Sequence, residues 1–137
     1  MLVLDSSRAD TARARRAAAL YLRARCPWVD ADDVLLVVSE LLGNAVRHTD
    51  DGRWRLRMSC PSGSLVVEVY DHSSARPVPR AGDPDNGGGF GWGIAEQLTT
   101  SLTVRPHGVG KSVQAVWCAA AAEVGGEPVR STPLLAA

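Results

Sequence analysis

The chain has 137 residues, with 15 basic and 15 acidic side chains that cancel to no formal net charge at pH 7. This length fits one domain that buries about two-thirds of its unfolded surface. The balanced charge excludes the broad electrostatic field that attracts proteins to nucleic acids or anionic membranes, so we expect partners to be recognised at a local site.

The cysteines and the apolar runs indicate a cytoplasmic protein. Cys26, Cys60 and Cys118 are odd in number, widely spaced and outside any Cys-x-x-Cys pair. This pattern argues against a disulfide framework and a zinc site, and it fits a reducing compartment. No apolar run reaches the roughly 18 residues of a membrane span, and the N-terminus lacks the apolar core of a signal peptide.

Two helices are predicted in the first third of the chain. Residues 5–7 offer capping side chains for a first helix at residues 8–25, which are rich in Ala, Leu and Arg. Asp30 opens a second helix, residues 31–48, whose apolar side chains recur at helical spacing. The two aspartates and the glycine at residues 50–52 end it.

Alternating side chains predict two antiparallel hairpins further along the chain. The first hairpin is rich in Val and its second strand ends on Asp71. The expected strands are residues 53–60, 65–71, 102–105 and 111–118, with turns at residues 61–64 and 106–110.

The segment between the hairpins, residues 72–91, holds several Pro and Gly and few apolar residues. A connection of about twenty residues is long for a compact domain and predicts a functional lid. Residues 92–100 predict a short helix after it. We assign residues 1–122 to the domain and expect residues 123–137 to be a disordered tail.

The order of elements is helix, helix, hairpin, lid, helix, hairpin. This order predicts an α/β (α+β) two-layer sandwich with its helices on one face of a mixed, mainly antiparallel sheet. On the second helix, Glu40 and Asn44 are four residues apart and therefore share a face, beside the apolar stripe. A carboxylate and an amide in this position form a candidate site.

Glycine-rich stretches suggest phosphate binding, but two common arrangements fail. Before Gly110 the first glycine of a P-loop is replaced by Arg105, and the following residues predict a strand rather than a helix. After Gly89 and Gly91 the third glycine of a dinucleotide fingerprint is replaced by Ile94. A glycine run before a helix N-terminus remains, which favours phosphate but equally suits a flexible linker.

Four segments, in order, resemble the motifs of the GHKL ATPases, which include gyrase and the histidine kinases. Residues 40–49 resemble the N box, residues 69–71 the first G box, residues 89–93 the second and residues 110–113 the final one. The resemblance covers residues 5–117 and is strongest to the free-standing anti-sigma factor serine/threonine kinases and their actinobacterial relatives. It implies a Bergerat-type fold with ATP and Mg²⁺ as cofactors.

The resemblance also implies roles for individual residues. Asn44 would bind Mg²⁺, and Glu40 would orient or deprotonate the attacking hydroxyl or water. Asp71 would accept a hydrogen bond from the adenine amino group, and Ser112 would support that carboxylate or hold a bridging water. The other nucleotide-binding residues implied are Arg47, His48, Gly89, Gly91, Trp92, Gly93, Ile94 and Lys111.

Simpler roles stay open for several of these residues. Glu40 can be a surface carboxylate, Asp71 a turn cap, His48 a helix-dipole contact and Arg47 a solvated charge. The sequence also departs from the family pattern in two ways. Residues 71–75 lack the glycines of the usual Asp-x-Gly-x-Gly first G box, and only four residues precede the capping segment, which leaves the sheet edge undecided.

Two functions therefore follow from the sequence. One is a serine/threonine kinase that phosphorylates an antagonist protein in sigma-factor partner switching, and the other is a non-catalytic module whose interface ATP gates by ordering the lid. A sensor histidine kinase is disfavoured because no dimerisation helix with a phosphorylatable His precedes the domain, while the altered first G box gives some weight to a domain without nucleotide. The expected partners are an antagonist protein or a sigma factor, with no direct nucleic-acid or membrane contact, and a homodimer stays open.

Overall fold

The computed structural model describes residues 1–73 and 89–119. The expected tail and most of the expected lid, residues 74–88, lie outside the described residues. The elements within the described ranges are β1 (Leu2–Asp5), α1 (Thr11–Arg25), α2 (Ala31–His48), β2 (Trp54–Ser59), β3 (Ser64–Asp71), α3 (Gly89–Leu98), β4 (Ser101–His107) and β5 (Gly110–Cys118).

The strands form one sheet in the order β1-β2-β3-β5-β4. The central strand β3 pairs with β2 on one side and with β5 on the other, and every pairing is antiparallel. The helices cover one face, since α2 packs against β2 and β3, and α3 packs against α2 and β4. The predicted two-layer sandwich is confirmed, and its sheet, expected to be mixed, is antiparallel throughout the described strands.

Strict alternation along the strands divides the sheet into an apolar face and a polar face. In β3, Leu65, Val67 and Val69 are buried under the helices, whereas Glu68 and Tyr70 lie on the outer face. Burial of each such apolar side chain contributes about 1.5–3 kcal/mol. The fully buried members of this core with the largest side chains include Leu22, Val34, Val37, Val38, Leu42, Leu56 and Met58.

The second helix has the predicted bounds. The Asp30 side chain accepts a hydrogen bond from the Asp33 backbone N–H at 3.2 Å and so caps the N-terminus. The first helix begins at Thr11, not at Arg8, because Asp10 is its N-cap and accepts from the Arg13 N–H at 2.8 Å. Residues 5–7, which were expected to cap this helix, do not cap it.

A short N-terminal strand settles the sheet edge that the sequence left undecided. β1 pairs with β2, placing Leu4 opposite Leu56. Ser6 extends the pairing, because its N–H donates to the Trp54 carbonyl at 3.0 Å and its hydroxyl accepts from the Trp54 N–H at 3.1 Å.

Several predicted boundaries in the second half of the chain are wrong. The third helix begins at Gly89 rather than Trp92, so the glycine segment forms its first turn instead of a loop. The second hairpin turns tightly, because β4 continues to His107 and β5 starts at Gly110. Gly108 has a φ of 61°, a left-handed conformation that glycine adopts without steric cost.

The expectation that the cysteines form no disulfide is also wrong. Cys26, at the end of α1, and Cys60, directly after β2, form a disulfide, while Cys118 is free and exposed. The two residues are 34 positions apart, and only the packing of the helices on the sheet brings them together.

Within residues 1–73 and 89–119, no helix has both the length and the apolar character that crossing a membrane requires.

Gly110 allows the close approach of β5 to the end of β3. A Cβ atom added at this position would overlap the carbonyl oxygen of Asp71 and lie 2.8 Å from the Cα of His72. We predict that Gly110→Ala lowers the free energy of unfolding by about 1–3 kcal/mol or more, because backbone rather than a flexible side chain must move. Urea denaturation followed by circular dichroism measures this change.

Gly93→Ala is the matched control. Gly93 sits inside α3, and apart from its chain neighbours and the backbone of this helix, no atom of the described residues lies within 4 Å of a Cβ added there. This variant should be as stable as the wild type or more stable by up to about 1 kcal/mol, since alanine favours a helix. Equal stability of Gly110→Ala and the wild type would contradict the close approach.

Candidate functional site

Two of the segments that resemble nucleotide-binding motifs, the end of β3 and the start of β5, are paired at one end of the sandwich. Just beyond the end of α2, Asp51 Oδ2 lies 2.8 Å from Nδ1 of His72, the residue that follows β3. Beside them, β5 starts opposite the end of β3 and pairs Lys111 in register with Asp71. The glycine segment at the start of α3 belongs to a helix that contacts α2 and β4.

A buried ion pair marks this end of the sheet. The Lys111 ammonium donates to both carboxylate oxygens of Asp71, at 3.0 Å to Oδ1 and 2.8 Å to Oδ2. The side chains are only 5% and 3% exposed, respectively. The Ser73 backbone N–H donates to Oδ1 at 2.8 Å and fixes the carboxylate further. A charge buried to this degree is tolerated only with such partners.

The ion pair borders an apolar surface on the inner face of the sheet. Trp54 of β2 and Pro106 of β4 flank it in the same row of paired residues. The next row inward is wholly apolar and consists of Leu56, Val69, Val113 and Val104. Leu56, Val69 and Val113 are buried, so this row belongs to the core between the sheet and the helices.

Asn44 is the polar residue that α2 contributes to the core. Its side chain is 6% exposed, and its Oδ1 accepts a hydrogen bond from Arg47 Nη2 at 2.9 Å. Arg47 is otherwise exposed and folds back over Gly43, where an added Cβ would lie 3.0 Å from its Nη1. Asn44 therefore presents an oxygen that can bind a cation, and in this structure Arg47 occupies it.

Glu40 is half-buried one turn before Asn44. Among the described residues, no hydrogen bond or ion pair engages its carboxylate, so it is available as a proton acceptor. His48, at the end of α2, is exposed.

Ser112 does not contact Asp71 as the sequence suggested. Its hydroxyl donates to Glu68 Oε2 at 2.6 Å, on the outer face of the sheet. The expected support for the Asp71 carboxylate comes instead from Lys111 and Ser73. The strand alternation contains a signal for this, because residues two apart share a face, so Lys111 lies on the inner face with Val113 and Ser112 lies on the outer face.

The start of α3 carries the remaining candidates. Gly89 and Gly91 lie in its first turn, where backbone N–H groups are unpaired by the helix itself. Trp92 is buried, Gly93 is half-buried and Ile94 is 40% exposed. The indole of Trp92 thus packs into the core at the point where the helix begins.

A group of aromatic and charged residues on the outer face was missed from the sequence. The Tyr70 ring lies edge-on to His72, with centroids 5.5 Å apart, and to His107 at 4.7 Å. The pKa of Asp51 is lowered, first by a hydrogen bond from the Arg53 backbone N–H and then by His72. No local sequence pattern predicts these contacts, because they join residues that are distant in sequence.

The profile of the histidine kinase-like ATPase domain matches residues 4–117. The chain belongs to this family. The match begins in β1 and ends in β5, so the histidine kinase-like ATPase domain accounts for all the described elements, and it supports an ATP-binding regulatory function. Comparison with curated proteins gives no match.

The residues of this histidine kinase-like ATPase domain fit ATP. The Asp71 carboxylate suits an amino group, and the α3 N-terminus suits phosphate. A metal ion would need oxygen from the nucleotide, because the described residues include no cluster of three or more His, Cys, Asp or Glu able to hold one. Mg²⁺ usually takes one or two ligands from the protein and the rest from water and phosphate, so the neutral oxygen of Asn44 is a suitable protein ligand.

A groove in the described part of the chain lies elsewhere. It has a volume of about 450 Å³ and lies between α1 and α2. None of the motif residues lines it. Its walls are Ala12, Arg15, Arg16, Ala19, Asp32, Leu35, Leu36 and Ser39.

The ion pair predicts a strong coupling between two substitutions. Lys111→Met leaves the Asp71 carboxylate buried without its counter-charge and should lower the free energy of unfolding by about 3–5 kcal/mol. Adding Asp71→Asn should restore part of this loss, because the buried charge is then gone. Urea denaturation of the four proteins of this cycle measures the coupling.

Arg55→Met serves as the control for this cycle, because it removes an exposed cation from β2. It should change the stability by less than about 0.5 kcal/mol. Additive effects of Asp71→Asn and Lys111→Met would show that the pair does not interact.

The lowered pKa of Asp51 predicts a pH dependence of stability. A carboxyl group with a depressed pKa stabilises the fold above its unfolded value of 3.8 and loses this contribution as the pH falls through its folded value. The wild type should therefore exceed Asp51→Asn in denaturation midpoint at pH 5–7, and the gap should close below pH 4. A gap that stays constant down to pH 2.5 would refute the assignment.

Proposed function

We propose that this chain is a Mg²⁺-ATP-dependent serine/threonine protein kinase of the anti-sigma factor type. It would transfer the γ-phosphate to a hydroxyl of an antagonist protein and so control a sigma factor in the cytoplasm. The observation that supports this proposal best is the arrangement on α2. Glu40, half-buried and without a partner in the described residues, stands one turn from the buried amide of Asn44.

The chemistry divides between these two residues. Mg²⁺ would neutralise charge on the triphosphate when it is bound. Asn44 Oδ1 would hold the ion, and the Glu40 carboxylate would orient the substrate hydroxyl and accept its proton as the phosphoryl group departs. Arg47 and His48, exposed at the end of the same helix, would lie near the phosphates. Gly89 to Ile94 would offer backbone N–H groups to them.

A non-catalytic role has one observation in its favour. Arg47 already donates to the Asn44 oxygen that Mg²⁺ would need. If Arg47 keeps this contact, the chain would bind ATP without aligning it for transfer. In that alternative, ATP binding gates a protein interface. The partner is a protein in both cases, and either function is compatible with a homodimer.

Calorimetric titration with ATP, with and without Mg²⁺, tests binding. The wild type should bind ATP more tightly when Mg²⁺ is present. Asn44→Leu should abolish this Mg²⁺ effect, whereas Asn44→Asp, which keeps an oxygen at the same place, should retain it. Tryptophan emission should change on binding, and Trp92→Phe identifies Trp92 as the reporter if it removes the change. No saturable binding at millimolar ATP would contradict both functions.

Transfer is tested separately, with γ-labelled ATP and candidate antagonist proteins from the same genome. Glu40→Gln should retain ATP binding within about threefold and lower the transfer rate by at least about a hundredfold, because the proton acceptor is lost. Ser39→Ala, at the neighbouring half-buried position, is the control and should transfer at the wild-type rate. Equal transfer by Glu40→Gln and the wild type would exclude Glu40 as the base, and binding without transfer to any candidate favours the gated module.

A further inference from the structure

The groove between α1 and α2 has an apolar lining that the described residues leave open. Its lining residues are spaced by three and four positions on each helix, so they form one stripe on α1 and one on α2. Leu36 in this lining is 41% exposed, and Leu20, next to the α1 stripe, is 63% exposed. Exposed leucines at an apolar groove indicate a surface that a partner covers. The apolar lining residues are Ala12, Ala19, Leu35 and Leu36.

The α1 side of this groove is strongly basic. α1 contains five arginines and no acidic residue, although basic and acidic residues are equal in number along the chain. All five are exposed, and within residues 1–73 and 89–119 none of them forms an ion pair. Two of the five, Arg15 and Arg16, line the groove. Unpaired cations beside an apolar groove favour a partner with acidic side chains.

The α2 side of the groove is different at its two ends. Asp32 lines the end nearest the connection between the helices, where it is exposed and forms no ion pair with the described residues. At the other end, the Ser39 hydroxyl donates to the Leu35 carbonyl at 2.9 Å and accepts from Arg15 Nη1 at 3.5 Å. The Ser39 hydroxyl is therefore used within the fold, whereas Asp32 can pair with a cation of a partner.

We propose that the groove between α1 and α2 binds an amphipathic helix of a partner protein, with the acidic side chains of that helix along α1. Its apolar side chains would contact Leu35 and Leu36. Its carboxylates would pair with Arg15 and Arg16, and a basic residue at one end would pair with Asp32. On each helix the lining extends over about two turns, or roughly 10 Å. A docked helix presents apolar residues over the same length when they recur at three- and four-residue spacing.

Other occupants fit this surface less well. A second copy of the chain would bring two arginines and a single carboxylate from each groove lining to a shared interface, so like charges would outnumber opposite ones. A nucleic acid would pair with the arginines, but it would leave the leucines uncovered and would be repelled by Asp32. An acidic amphipathic helix satisfies both the charge and the apolar lining.

The proposal goes beyond the proposed function, because docking in this groove needs neither ATP nor phosphate transfer. None of the residues that resemble nucleotide-binding motifs lines the groove. Binding of a helix can therefore be measured on the protein without nucleotide.

Fluorescence anisotropy with labelled synthetic peptides tests the proposal. The acidic probe is an amphipathic peptide of about twenty residues, with Leu at three- and four-residue spacing and Glu on the flanking positions. One reference peptide has Lys in place of Glu, and a second has Gln in place of Leu. The acidic probe should bind the wild type at least about tenfold more tightly than either reference, because each reference lacks one of the two complementary features.

Leu36→Glu and Arg16→Glu assign this binding to the groove. Each should weaken binding of the acidic probe by at least about tenfold, because one places a charge in the apolar lining and the other reverses the charge beside it. Both residues are exposed, so both variants should keep the circular dichroism spectrum of the wild type. Arg55→Glu makes the same change of charge on β2 and is the matched control, which should bind within about threefold of the wild type.

Three results would overturn the proposal. The first is that the acidic probe does not bind at millimolar concentration or binds no better than the Lys peptide. The second is wild-type affinity of Leu36→Glu for the acidic probe. The third is a wild-type dimer that Leu36→Glu converts to a monomer in analytical ultracentrifugation, which would assign the groove to a second copy of the chain. Each of these results leaves the proposed ATP binding intact.

Discussion

The buried ion pair between Asp71 and Lys111 is the constraint on which the rest of the site depends. Removal of two charges from water is costly, and the cost is offset only when the partners are held in good geometry. Here the geometry comes from strand pairing, because Asp71 and Lys111 are opposite residues of β3 and β5. Strand pairing therefore holds the two side chains opposite each other.

The helix α2 supplies an amide and a carboxylate, Asn44 and Glu40, in place of an ion pair. α2 is anchored to the sheet by apolar side chains that are completely buried, such as Val34, Val38 and Leu42. This packing fixes the rotation of the helix, so Asn44 has to be buried and Glu40 half-buried. Chemistry that requires a positioned oxygen and a proton acceptor is compatible with such an anchored helix. The ion pair and α2 are complementary in role, with one suited to recognition of a base and the other to phosphate chemistry.

Much of the fold could be predicted, because its signals are local. The second helix has a capping aspartate and a continuous apolar stripe, and its predicted bounds are those of the structure. The wrong predictions concern residues that are distant in sequence but in contact, and positions where several residues could play the same role. Several residues before α1 could cap a helix, and only the turn after β1 selects Asp10. The disulfide joins two elements whose packing no local pattern specifies.

The candidate site was predictable in part for the same reason. The order of the motifs indicated the end of β3 and the start of β5, but the expected partner of Asp71 was Ser112, one residue after the observed partner Lys111. In a strand, a shift of one residue moves a side chain to the opposite face. Lys111 and Val113 are two residues apart in β5, so both side chains lie on the inner face of the sheet, which is also the face of Asp71. The contact between Arg47 and Asn44 follows from side-chain conformation, which helical spacing permits but does not dictate.

A crystal structure with Mg²⁺ and a non-hydrolysable ATP analogue would test the central claim most directly, namely that α2, the end of β3, the start of α3 and the start of β5 form one nucleotide site. The account predicts the purine edge against Asp71 and Lys111, and the metal about 2.1 Å from Asn44 Oδ1, with Arg47 moved away from that oxygen. A nucleotide bound instead in the groove between α1 and α2, or a metal without contact to Asn44, would contradict it.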